Sequence, residues 1–384
     1  MSKFWGGVLV LFGALFACEM SLRMIYSGSF SIWPPGMVRE FTPIPEAMPG
    51  ITGTNVLSIN QLGIRGDDLA GDETLRILAL GASTTLCGTL DDTETWAYLL
   101  QSDLQKAFPA EQVWVGAAGR PGNTLKHNQL QLEHLLTRLP EIPDLLLMMV
   151  GGVELSRSLG LNWGAGQDGL VEETLDSAVK RAFAVRPKPI FDFSYSMIID
   201  TVGVWLERVE ERRSVTIDTN GSSVLAARDA RAHADVLVDE LPDLTIALDV
   251  YEQKLTDLIE YAHDQGMDIV LVTQPSIYHE HLDPELAYLI WGGRLPMTDD
   301  GLVRYYSVPA LARGMHRFNE RLLKVCGDNA LKCIDLDSQL PKDNTVYVDA
   351  VHFNESGARE VARLLSGELR ESGVLVPGEV ASID

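Results

Sequence analysis

Arg76-Ile-Leu-Ala-Leu-Gly-Ala-Ser-Thr-Thr85 (RILALGASTT, residues 76–85) decides how this chain reads. The apolar run ends at Gly81, which predicts a short buried strand. After it, Thr95-Trp-Ala-Tyr-Leu-Leu-Gln-Ser-Asp-Leu104 carries apolar residues at 96, 99, 100 and 104, the spacing of one helix face. The same alternation continues along the chain. Strands are expected at Val113–Ala118, Asp144–Gly151, Met267–Pro275 and Cys333–Leu336, and helices at Leu130–Leu139, Tyr251–Gln265, Gly314–Val325 and Ser356–Leu369. Strands that alternate with helices build βαβ units with right-handed crossovers. The fold class is therefore α/β, a three-layer α/β/α arrangement around a mainly parallel sheet. Residues 155–250 break the rhythm, with helical stretches at Glu172–Ala184, Ser194–Glu211 and Val224–Val238 and no convincing strand. They read as a helical insertion, a lid or the surface for a protein partner, within a domain over 74–372. Residues 27–73, rich in Pro, Gly, Ser and Thr, read as an extended connector, and 373–384 as a tail.

Composition narrows the function classes. The chain has 384 residues, 54 Asp+Glu against 31 Lys+Arg, and a formal net charge of −23. Nucleic acid is excluded as a main partner, because phosphate binding needs clustered Lys and Arg, and so is an anionic lipid surface. With 46% hydrophobic residues the chain folds rather than staying disordered. Four cysteines, none in a CxxC pair, exclude a disulfide scaffold and give no zinc signature. Asp264, Asp268, His279 and His281 have no compact ligand spacing, so no metal and no cofactor is expected.

Three features sit where an open α/β sheet presents ligands, at the carboxyl ends of its strands. Gly81-Ala82-Ser83-Thr84-Thr85 puts a hydroxyl there; alone, it reads more readily as an ordinary capping turn. Asp349-Ala350-Val351-His352 offers a base and a carboxylate to orient it on one loop. Gly119-Arg120-Pro121-Gly122-Asn123-Thr124 follows the second strand, and a glycine there lets a backbone N–H approach a reacting oxygen.

Together these segments resemble, in order over residues 58–369, the SGNH hydrolases (the GDSL esterase/lipase superfamily). Ile59-Asn-Gln-Leu-Gly-Ile-Arg-Gly66 resembles the segment before the catalytic strand in exported bacterial members. The resemblance implies an SGNH/flavodoxin-like fold, Ser83 as nucleophile, His352 as base and Asp349 as its orienting carboxylate. The N–H groups of Ser83 and Gly122 would hold the oxyanion. One departure matters: the third block normally supplies an asparagine side chain to the oxyanion, and Gly151-Gly-Val-Glu154 places Val153 there. Valine cannot donate. Neighbouring Asn123 is the candidate substitute, and a slow or purely binding protein is the alternative. Glu154 reads as a helix N-terminal carboxylate. Gln274-Pro275 and Trp291 are read as a strand-ending turn and a packed tryptophan, with pocket contacts as the alternatives.

The expected function is a serine esterase acting on a small-molecule or carbohydrate ester such as an O-acyl sugar. A scaffold protein and an acyltransferase acting on an extracytoplasmic polysaccharide are the rivals. Phe4 to Cys18 is uncharged, with Lys3 before it and Glu19 after. A cleaved signal, a lipoprotein signal at Cys18 and an uncleaved membrane anchor over 1–26 compete, and the anchor, with an extracytoplasmic body, is the expectation. Cys326 and Cys333 read equally as a short disulfide or two free thiols, and Cys87 as a packing residue.

Overall fold

Apolar runs such as Leu78-Ala-Leu80 have two faces to bury, and a parallel sheet covered on both sides buries both. A computed structural model describes residues 13–21, 29–160, 173–187 and 221–375. The strands are β1 (Val38–Phe41), β2 (Asn55–Ser58), β3 (Leu75–Gly81), β4 (Val113–Gly119), β5 (Leu145–Val150), β6 (Val236–Val238), β7 (Asp268–Thr273), β8 (Arg304–Tyr306) and β9 (Cys333–Ile334). The central sheet is wholly parallel, in the order β4-β3-β5-β7-β9. Helices Trp96–Ala107 and Glu355–Glu371 pack together on one face, and Leu125–Leu136, Thr245–Asp264 and Val308–Asp328 on the other. The result is a three-layer α/β/α fold. Strand order reverses between β3 and β5, which opens a crevice at their carboxyl ends.

Several helices begin earlier than their apolar spacing suggests, and capping explains this. Thr124 and His127 cap the helix Leu125–Leu136 reciprocally, and Ser307, with Pro309 in the first turn, starts Val308–Asp328. The polar stretch before Leu130 packs inward as part of this helix, with His127 and Asn128 buried.

Residues 29–65 are not a loose connector. β1 and β2 form an antiparallel pair, and Ile32, Met48, Ile51 and Ile64 are buried in the main core. Arg65 pairs its backbone with Ala117 on β4. Its buried guanidinium binds Asp92 (2.8 Å) and the carbonyls of Leu86 (2.9 Å), Cys87 (2.6 Å) and Leu90 (2.6 Å). The Pro/Gly-rich composition that suggested a spacer instead supplies turns in a packed layer.

The insertion also differs from its reading. Helices Leu175–Ala182 and Ser222–Ala232 are present, but Val236–Val238 is a strand paired in parallel with β8. Three residues pairing far downstream leave no readable alternation. Ser194–Glu211 lies outside the described residues. Residues 13–21 are helical, and among the described residues no helix is long and apolar enough to cross a membrane. Most of segment 1–26 assigned to an anchor falls outside them. Cys326 and Cys333 form a disulfide (Cα–Cα 6.1 Å) joining the helix Val308–Asp328 to the edge strand β9.

Candidate active site

Ser83 leaves β3 as the first residue of a four-residue helix, Ser83–Leu86, so its backbone N–H has no intrahelical partner. The turn is held from three sides. Trp96 Nε1 donates to Thr84 O (2.8 Å), and Arg65 gathers the carbonyls that follow. Gly119, ending β4, lies so close that a Cβ there would collide with Leu86 N and Ala82 O. Cys87 is buried in this turn and burial pushes its thiol up to about 11, so it packs and does not react at neutral pH.

Asp349 and His352 sit on the loop preceding the helix Glu355–Glu371, facing Ser83 across the crevice. Asp349 Oδ2 is 2.8 Å from His352 Nδ1, and His352 Nε2 is 2.8 Å from Ser83 Oγ. The carboxylate also accepts from the N–H groups of Val351 (3.0 Å) and His352 (2.9 Å) and from Trp291 Nε1 (2.9 Å). Burial alone would raise its pKa; the imidazole and the N–H groups of Val351 and His352 outweigh that and hold Asp349 well below the usual range. Burial works to lower the pKa of His352, but the Asp349 charge and hydrogen bond prevail and raise it. With Nδ1 committed to the carboxylate as donor, Nε2 is left to accept the Ser83 proton.

The three side chains open onto a cavity of about 610 Å³. Gly122 lines it with φ +75°, a left-handed conformation suited to glycine. Val153 lines it as well, in the first turn of the helix Gly152–Ser158 that follows β5. Asn123, the candidate substitute for the missing asparagine, does not line the cavity; its side chain is 2% exposed and its amide nitrogen has no partner among the described residues. Glu154 turns inward and accepts from Leu125 N (2.8 Å) and Gly151 N (3.1 Å), tying the turn after β5 to the helix after β4. It is a helix N-terminal carboxylate, and burial raises its pKa despite those bonds.

Gln274, for which a strand-ending turn and a pocket contact are equally open in the sequence, and Trp291, which reads there as a packed tryptophan, both line the cavity. Gln274 accepts from Thr84 Oγ1 (3.3 Å) and packs against Gly152, beside Val153. Arg228 was not singled out at all. It lies buried on the helix Ser222–Ala232 and donates to Val348 O (2.7 Å), bracing the residue before Asp349. Only an arginine at an apolar-spaced position, Val224-Leu225-Arg228, could have hinted at it. Among the described residues no group of three or more His, Cys, Asp or Glu could hold a metal ion.

No family model matches the chain, and no curated protein matches it. Solved structures do. An acetylxylan esterase from Geobacillus stearothermophilus is 15% identical, with a TM-score of 0.41, over 78% of this chain and 96% of that one. An α/β hydrolase enzyme from the metagenome of Lake Arreo, Spain, is 14% identical, with a TM-score of 0.42, over 79% and 97%. The acetyl xylan esterase AlAXEase is 15% identical, with a TM-score of 0.41, over 76% and 98%. Likeness at that distance carries no conclusion about chemistry.

Proposed function

We propose that the chain is a serine hydrolase of the SGNH type that cleaves an ester, with an O-acylated carbohydrate as the candidate substrate class. The observation that carries this reading is the unbroken relay from Asp349 through His352 to the Ser83 hydroxyl, at 2.8 Å for each link. His352 Nε2 takes the proton as Ser83 Oγ attacks the ester carbonyl, and Asp349 stabilises the imidazolium. The N–H groups of Ser83 and Gly122 receive the oxyanion. Imidazolium then protonates the leaving alcohol, and water activated by the same imidazole cleaves the acyl-serine. The Cys326–Cys333 bridge supports an oxidising, extracytoplasmic location for the body.

Val153 favours a second reading, a binding protein that keeps the fold without turnover. Covalent labelling separates the two. A fluorophosphonate should label the wild-type chain and leave Ser83→Ala unlabelled. Labelling of both chains, or of neither, refutes the relay as a catalytic device. Ester hydrolysis assayed alongside then distinguishes turnover from an activated but idle serine.

A further inference from the structure

One wall of the cavity carries two arginines in a chain that is strongly acidic overall. Arg157, Glu173, Thr174, Ser177 and Arg181 all line it. Glu173 is a shared anchor. Its carboxylate meets Arg157 Nη1 (3.3 Å) and Arg181 Nε (3.0 Å), and it accepts from Ser177 Oγ (2.8 Å). It also faces His127 Nε2 at 2.9 Å, while His127 Nδ1 accepts from Thr124 N (2.9 Å). Burial lowers the pKa of His127 to about 4 against the pull of Glu173, so that imidazole is neutral at pH 7 and adds no charge. Lys126 Nζ reaches the Glu173 backbone carbonyl.

The count of charges is uneven. Among the described residues that line this wall, the two guanidiniums of Arg157 and Arg181 share the single carboxylate of Glu173. Arg120 spends its hydrogen bonds on two carbonyls, Arg181 O (2.8 Å) and Ile32 O (2.9 Å). A chain carrying −23 overall thus sets two cations against one carboxylate on this wall, among the described residues. Each guanidinium has five N–H donors. Arg157 and Arg181 each make one contact to Glu173, and their side chains are 29% and 36% exposed. Most of their donors have no protein acceptor among the described residues. Beside them Trp33, also lining the cavity, has Arg120 stacked 4.7 Å from its ring centre and its indole N–H tied to Gly119 O (2.9 Å). Packed also against the apolar cluster of Phe41, Leu57 and Ile59, that ring is held fixed at the cavity wall.

We propose that this wall is a carboxylate-binding subsite, with Arg157 and Arg181 taking a carboxylate of the substrate and Trp33 supporting the ring that carries it. The inference rests on the ester-hydrolase reading for its purpose but not for its test. Guanidinium pairs suit carboxylates because their planar donors match both oxygens. The carboxylate could come from a uronic acid on the alcohol side or from a dicarboxylic acyl group. Glu173 keeps the empty subsite from accumulating unpaired positive charge.

Binding by calorimetry to the full chain carrying Ser83→Ala tests this without turnover. The ligands are a galacturonic acid disaccharide, its neutral galactose analogue, and glutarate. At least one of the two anionic ligands should bind about tenfold more tightly than the neutral sugar. Arg157→Gln should remove that advantage, and Glu173→Gln, which deletes the internal competitor, should increase it. A gain cannot come from damaged folding. Arg-dependent binding of the uronide alone places the carboxylate on the alcohol side, and of glutarate alone on the acyl side. Equal affinity for acidic and neutral ligands, no measurable binding, or weakening by both substitutions overturns the subsite. Should Ser83 resist labelling, the hydrolase reading falls and this result still stands or falls separately.

Discussion

Replacing Asp349 by asparagine probes the proposed relay most sharply, because geometry fixes the direction of two separate effects. The Asp349 carboxylate gathers four donors: His352 Nδ1 and the N–H groups of Val351, His352 and Trp291. An amide offers one oxygen, and the backbone donors and the indole compete for it. Its NH₂ group is then turned toward Nδ1, which must accept, and the imidazole proton moves to Nε2, the atom 2.8 Å from Ser83 Oγ. The base is lost by tautomer. In the serine-protease template that change costs roughly 10⁴-fold, about 5.4 kcal/mol at 1.36 kcal/mol per decade. The rate of fluorophosphonate labelling of Ser83 reads this loss directly, whatever the natural substrate. The pH profile reads the second effect. In the wild type, Asp349 outweighs burial and raises the His352 pKa, so the labelling rate should climb with pH through a midpoint above 6.5. Without the carboxylate only burial remains, and the residual rate should climb through a midpoint below 6.5. The raised histidine also stabilises the fold at pH values below 6.5 and loses that contribution as pH rises through its folded value. The depressed carboxylate contributes stability above its unfolded value, near 4, and loses it only as pH falls through its own folded value. A loss under tenfold, or a midpoint that stays or moves upward, would refute the reasoning.

Other outcomes follow from the same geometry. Val153→Asn restores a side-chain donor beside the cavity and should raise ester turnover at least tenfold, since one oxyanion donor is worth ~10²–10³; an unchanged rate would favour the binding-protein reading. Arg65→Met removes a buried cation that gathers Asp92 and four carbonyls, at a cost of about 3–5 kcal/mol, read as a melting temperature lower by roughly 10 °C and slower labelling of Ser83. Replacing both Cys326 and Cys333 by alanine should cost about 2–3 kcal/mol in denaturant unfolding while leaving the labelling rate unchanged.

The parallel sheet was legible in the sequence because β3, β4, β5 and β7 are continuous apolar runs with Gly, Pro or Asp at their ends, a pattern set by local chemistry. The relay was legible for the same reason: Ser83 and the Asp349–His352 pair each sit in short segments, and the sheet brings them to one rim. What escaped reading depends on partners distant in sequence. Trp291 binds Asp349 across 58 positions, and Arg228 reaches Val348 across 120. Three-residue β6 is a strand only because β8 pairs with it. The segment 27–73 read as an extended connector since its buried residues, such as Ile32, Met48, Ile51 and Ile64, are scattered among turns rather than periodic. Asn123 was chosen by adjacency to Gly122, and adjacency along a chain does not fix which way a side chain faces.

The amino-terminal hairpin layer stitches together nearly the whole length of the chain. Ser31 bridges to Val185, Arg65 to Ala117, and Thr52 N donates to Glu355 Oε1 at 2.6 Å. Closures this distant are entropically slow, and they cannot form while the later partners are still being synthesised. The contact of this layer with Glu355 therefore settles late, whereas the Arg65 guanidinium, whose side-chain partners lie within residues 56–92, can brace the Ser83 turn earlier. A newly made chain would hold Ser83 without its proposed base until His352 has been synthesised, a delay set by the order of the segments along the chain.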